Sequence, residues 1–184
     1  GLDEVLKEIR ELLKESHDRL RRVLEEIEKL LEDSHRRNEE VVRRIRKVLE
    51  EVREKAERDN ISEELRKKLE KVVREVEKRL EESTRKNRKL IEDVRRELEE
   101  LKRKNEKVLD DLEKDLKRAK DEPVDERLVK ELLDRARDKI RRNIEELERK
   151  LRAVEEKVRR TIRESEELLD RVRKIIEDLE REAT

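Results

Sequence analysis

The chain has no Cys, no Met, no Phe, Tyr or Trp and no Gln, and it carries one Gly and one Pro. Each absence excludes something. Without Cys there is no disulfide framework, no thiol nucleophile and no Cys-ligated metal. With a single Gly and a single Pro there is little material for turns, which draw on residues tolerant of special backbone geometry. Strands are disfavoured because aromatics are missing and Val and Ile do not alternate with polar residues. The longest apolar runs are pairs such as Leu12-Leu13 and Ile175-Ile176, which predicts neither a membrane span nor a signal peptide. Net charge is absent as well: 55 basic side chains stand against 55 acidic ones. That balance predicts no nucleic-acid or anionic-membrane footprint.

What is present is Glu, Lys, Arg and Leu, all good helix formers. Charged residues make up 60% of the 184 positions, a content often met in disordered chains. Here, however, apolar residues recur at helical spacing throughout. In the first segment Leu6, Ile9, Leu12, Leu13, Leu20, Leu24, Ile27 and Leu31 fall on one stripe. Leu69, Val73, Val76 and Leu80 do the same in the second, and Ile140, Leu147, Leu151 and Val154 in the third. Two breaks separate the segments. At Asp59-Asn60-Ile61-Ser62, Ser62 can cap the following helix. At Asp121-Glu122-Pro123-Val124-Asp125, Asp125 can cap, with Val124 and Val129 as a hydrophobic staple. The pattern predicts helices over about 2–58, 63–120 and 126–183. Each would be roughly 85 Å long at 1.5 Å per residue. Short connections make neighbours antiparallel, so the expected fold is all-α. It is a single up-down-up three-helix bundle over residues 1–184.

The apolar pattern repeats every 18 residues, as in Leu6, Leu24 and Val42, or Ile9, Ile27 and Ile45. Eighteen residues are five turns of an ordinary α-helix. A strict heptad would impose a left-handed supercoil; this repeat predicts nearly straight helices.

The uncharged polar residues are distributed unexpectedly. Apart from Asn60, Ser62 and Thr184, every Ser, Thr and Asn falls on an apolar stripe or at its edge. Antiparallel pairing across the first break makes facing residue numbers total about 121, and about 246 across the second. Ser16 then faces Asn105, and Asn105 faces Asn143. Ser34 faces Asn87, Asn38 faces Ser83, and Thr84 faces Thr161. Two layers result. The first holds Ser16, His17, Asn105 and Asn143; the second holds Ser34, His35, Asn38, Ser83, Thr84, Asn87, Thr161 and Ser165. They are expected roughly 27 Å apart along the bundle. A buried amide or hydroxyl without a partner costs roughly 1–3 kcal/mol. Such layers therefore specify register and pairing more than they add stability.

Catalytic readings fare poorly. Ser16-His17 and Ser34-His35 are sequence neighbours, which point about 100° apart on a helix and cannot form a hydrogen-bonded dyad. His17 and His35 are five turns apart and cannot share one zinc ion, which needs three or four converging ligands. Pairs such as Arg21-Arg22 and Arg141-Arg142 have acids within a turn or two, in keeping with a solvated, ion-paired face. Neither catalytic, cofactor nor metal residues are expected.

With its three equal helices, 18-residue repeat, Glu/Lys/Arg surface and polar layers around His17 and His35, the chain resembles de novo designed helical bundles with buried hydrogen-bond networks. The resemblance covers all of the chain. Natural spectrin-like triple-helical repeats are the nearest biological analogue, but they carry core aromatics and irregular heptads. The resemblance implies a structural scaffold without catalytic activity or cofactor. It also admits an interaction module: a self-associating chain, or one half of a pair with a designed helical partner. A stripe of about 140° on the first helix leaves room for a fourth helix at the edge holding His17 and His35. An acid response is implied too, since a buried neutral His resists protonation and stability would then fall below about pH 6.5. A soluble chain without a targeting signal, suited to recombinant cytoplasmic expression, is the expectation for localisation.

Overall fold

The computed structural model describes residues 2–59, 63–120 and 126–182. All of them are helical: α1 is Leu2–Asp59, α2 is Glu63–Lys120 and α3 is Glu126–Glu182. The boundaries agree with those read from periodicity to within a residue. The expected caps Ser62 and Asp125, and Val124 of the expected staple, lie outside the described residues. Charge placement supports the helix ends. Asp3, Glu4 and Glu126 occupy first turns and Arg181 a last turn, matching the sign of the helix dipole there.

The fold is a three-helix, all-α bundle, and its contacts group into two compact units. The first comprises Gly1–Glu26 with Leu90–Val154, the second Ile27–Lys89 with Glu155–Thr184. Each unit thus takes one stretch from each helix.

In the first unit Leu6, Ile9 and Leu13 of α1 pack with Leu109, Leu112 and Leu116 of α2 and with Ala136 and Ile140 of α3. Side-chain contacts between helices report their relative direction. From Arg10 to His17 the partners on α2 fall from Glu113 to Asn105, and from Asn143 to Lys150 they fall from Asn105 to Glu97, so α2 runs antiparallel to both neighbours. Both being antiparallel to α2, α1 and α3 run parallel, and Arg19 bridges them to Glu148.

In the second unit the core is Ile45 and Leu49 of α1, Leu69, Val73, Val76 and Leu80 of α2, and Leu169, Val172 and Ile176 of α3. Arg46–Glu77 and Arg88–Glu32 again set α1 against α2 in antiparallel order.

Not every stripe residue is inside. Leu12, read from periodicity as inward, is 61% exposed. Its neighbour Leu13 takes the core position, and the 100° step between them carries Leu12 outward. It shares its row, one heptad away, with Arg19, whose guanidinium reaches α3 at the rim. At the edge of α3, Leu132 and Leu168 are half-buried against the cores of their own units, whereas Ile175 is exposed.

Candidate functional site

His17 follows Leu13 and precedes Leu20 by about one turn each, so it sits on the core face of α1. Asn105 lies between Leu101 and Leu109 on α2 in the same way, and Asn143 between Ile140 and Leu147 on α3. Burial follows from that spacing: Asn105 is 0% exposed, His17 is 9% exposed and Asn143 is half-buried. The structure joins these three. Asn143 Nδ2 donates to Asn105 Oδ1 at 3.2 Å. Asn105 Nδ2 lies 3.3 Å from His17 Nε2. An amide nitrogen only donates, so Nε2 is the acceptor and the proton of the neutral ring sits on Nδ1. One side chain on α2 therefore links α1 to α3. Ser16, the fourth residue of this layer, is half-buried and makes no side-chain hydrogen bond to the others.

Two clefts of this unit open onto the series. His17 lines one of about 460 Å³ between α1 and α2, floored by Leu13 and Leu109 and rimmed by Arg10, Lys14, Asp18, Lys102, Glu106 and Asp110. Asn143 lines a smaller one of about 90 Å³ between α2 and α3, with Glu97, Glu100, Lys104, Glu146 and Lys150. Burial lowers the His17 pKa from its ordinary value, and the Lys102 ammonium adds to that. Glu106, Asp18 and Glu99 oppose the shift without cancelling it.

The second layer is built differently. His35 is half-buried, with Nδ1 3.5 Å from Thr84 Oγ1 and Nε2 2.8 Å from Glu39 Oε1. The Thr84 contact is at the outer limit of a hydrogen bond. On α3, Thr161 Oγ1 donates to the Lys157 carbonyl and Ser165 Oγ to the Thr161 carbonyl, both at 2.8 Å. These hydroxyls serve their own helix, the familiar i−4 competitor to an inter-helix bond. Ser34, Asn38 and Asn87 are buried and Ser83 half-buried, and no side-chain hydrogen bond links them. Asn87 Nδ2 is buried without a partner. Beside this layer Arg88 makes a two-pronged contact with Glu32, at 2.9 and 3.0 Å. That hydrogen bond holds the Glu32 carboxyl below its usual range.

The register arithmetic brings together His17, Asn105 and Asn143 but does not reveal the roles of Glu39, Glu32 or Lys102. Glu39 carried a signal, since it lies four residues after His35 on the same face. Glu32 and Lys102 carried none, because their reach depends on side-chain rotamers. Among the described residues no three His, Asp or Glu side chains gather as a metal site, and no helix is long and apolar enough to cross a membrane. Comparison with protein-family models, curated proteins and solved structures finds no match to this chain.

Proposed function

We propose that this protein is a de novo designed structural scaffold whose buried polar contacts specify which helices pair and in what register. The observation that supports it is the position of Asn105. It is fully buried, bonds to both other helices, and is set between apolar turns on α2. A slip of α1 against α2 by one heptad, about 10 Å, would separate Asn105 from His17 and leave two buried polar groups unmet. Leucine at the same place would fill the core equally well under either register. The polar series therefore discriminates between registers where the apolar stripe, repeating along the helix, does not.

Cysteine pairs test this in a chain that has none of its own. Arg46→Cys with Glu77→Cys reports the observed register, and Arg46→Cys with Glu70→Cys reports a slipped one. In the parent background a short bismaleimide should link only the first pair. In the Asn105→Leu background it should link both. Cross-linking of the first pair alone in Asn105→Leu would remove the register role.

A second reading, an interaction module that binds itself or a partner helix, is supported by the exposed Leu12, Leu128 and Ile175. Light scattering separates the two. A mass of 22.6 kDa that holds on dilution favours the scaffold, and a concentration-dependent larger mass favours association.

A further inference from the structure

The hydrogen bonds of the first unit have directions, and the directions are coupled. Asn143 donates to Asn105, and Asn105 donates to His17 Nε2. An imidazolium carries protons on both nitrogens and has no acceptor to offer. Its Nε2–H cannot face the Asn105 amino group, so Asn105 must present Oδ1 instead. Asn105 is fully buried, and its two partners are the residues it already touches. Turning Oδ1 toward His17 turns Nδ2 toward Asn143, which must then present Oδ1 in its turn. The Asn143 amino group is left facing away from the core.

We propose that His17, Asn105 and Asn143 form a polarity relay: protonation of His17 beside the α1–α2 cleft reverses both amides and changes Asn143 from an acceptor to a donor in the α2–α3 cleft. The relay rests on the same contacts as the register reading above, but it concerns their direction.

The surroundings suit both ends. The charged groups around His17 are Arg10, Lys14 and Asp18 on α1 and Glu99, Lys102, Glu106 and Asp110 on α2. Among the described residues the lining of that cleft comes from α1 and α2, and the hydrogen bonds from His17 reach α3 through Asn105 and Asn143. Proton uptake is thus governed by α1 and α2, and its consequence is delivered at α3. There the cleft presents Glu97, Glu100 and Glu146 against Lys104 and Lys150. Glu97 Oε2 is buried without a partner, so an amino group turned into this cleft meets an acid-rich wall. Hydronium reaching the α1–α2 cleft supplies the proton when the ring swings toward it: one of its O–H bonds breaks, leaving water, as the N–H bond at Nε2 forms. The competing response is that the imidazolium stays swung out and leaves both amides as they were.

Nuclear magnetic resonance on the full chain, labelled with nitrogen-15 and carbon-13, distinguishes these. The Arg46→Cys, Glu77→Cys cross-link is installed first, so that register is held regardless of what the polar series contributes to it. At about pH 8 a scalar coupling through the hydrogen bond should connect Asn105 Nδ2 with His17 Nε2. As His17 titrates, that coupling should vanish and His17 Nε2–H should couple to the Asn105 side-chain carbonyl. The Asn143 amide signals should move with the same midpoint. Asn105→Asp, which accepts at both oxygens, should let His17 take its proton while the Asn143 signals stay still. Asn143 signals that ignore the His17 midpoint in the parent chain, or a protonated ring with no coupling to Asn105, would overturn the relay and leave the register reading untouched.

Discussion

Asn105 donates a hydrogen bond to His17 across 3.3 Å from a position with no solvent exposure. The same side chain accepts from Asn143. Its loss therefore leaves two unmet groups, each only partly able to turn to a cleft. Asn105→Ala should lower unfolding stability by about 1–3 kcal/mol. Replacing His17, Asn105 and Asn143 together by Leu should instead be neutral or stabilising, because no polar group remains to be satisfied. Asn87 offers the contrast. Its Nδ2 is buried without a partner, so Asn87→Leu should raise the guanidinium midpoint. An Asn87→Leu change as costly as Asn105→Ala would show that the two amides are equivalent after all.

Stability should depend on pH through His17. Its folded pKa lies below the ordinary 6.5, chiefly because of burial and then because of Lys102. Between those two values the unfolded chain binds more protons than the folded one. Stability is therefore complete above 6.5, falls as pH drops toward the lowered folded value, and levels off below it. Glu32 acts in a separate, more acidic window. Held below its ordinary 4.5 by the Arg88 hydrogen bond, it contributes above that value and loses its contribution as pH falls through its folded one. Exposure of the pair keeps that contribution small. Urea midpoints at about pH 8 and about pH 5.5 should differ in the parent chain. In His17→Gln, which can still accept from Asn105, the difference should shrink. An unchanged difference in His17→Gln would assign the effect elsewhere.

The apolar stripe should be energetically uneven. Leu24 is 2% exposed and Leu12 is 61% exposed. Leu24→Ala should cost about 2–5 kcal/mol, whereas Leu12→Arg should stay within about 0.5 kcal/mol. Chemical unfolding monitored by circular dichroism measures both. A large loss in Leu12→Arg would mean that Leu12 is covered in solution, and a mass above that of one chain would then identify another copy as the cover.

Three helices, their limits and most of their inward faces could be read from the chain itself, because a single period carries them and few residues interrupt it. The polar residues could be placed on the inner face for the same reason. Antiparallel numbering then aligned His17, Asn105 and Asn143, whose short side chains must meet whatever lies opposite. Tertiary structure decided the rest. It grouped the contacts into two units, and it put Leu12 outside while Leu13 took the core. It gave the hydroxyls of Thr161 and Ser165 to carbonyls of their own helix. It also left Ser34, Asn38, Ser83 and Asn87 without side-chain bonds to one another. Periodicity states which face a residue occupies. Whether a side chain on that face reaches across the core or turns back depends on rotamers and on competing backbone acceptors one turn away, and these exist only once the helices are packed.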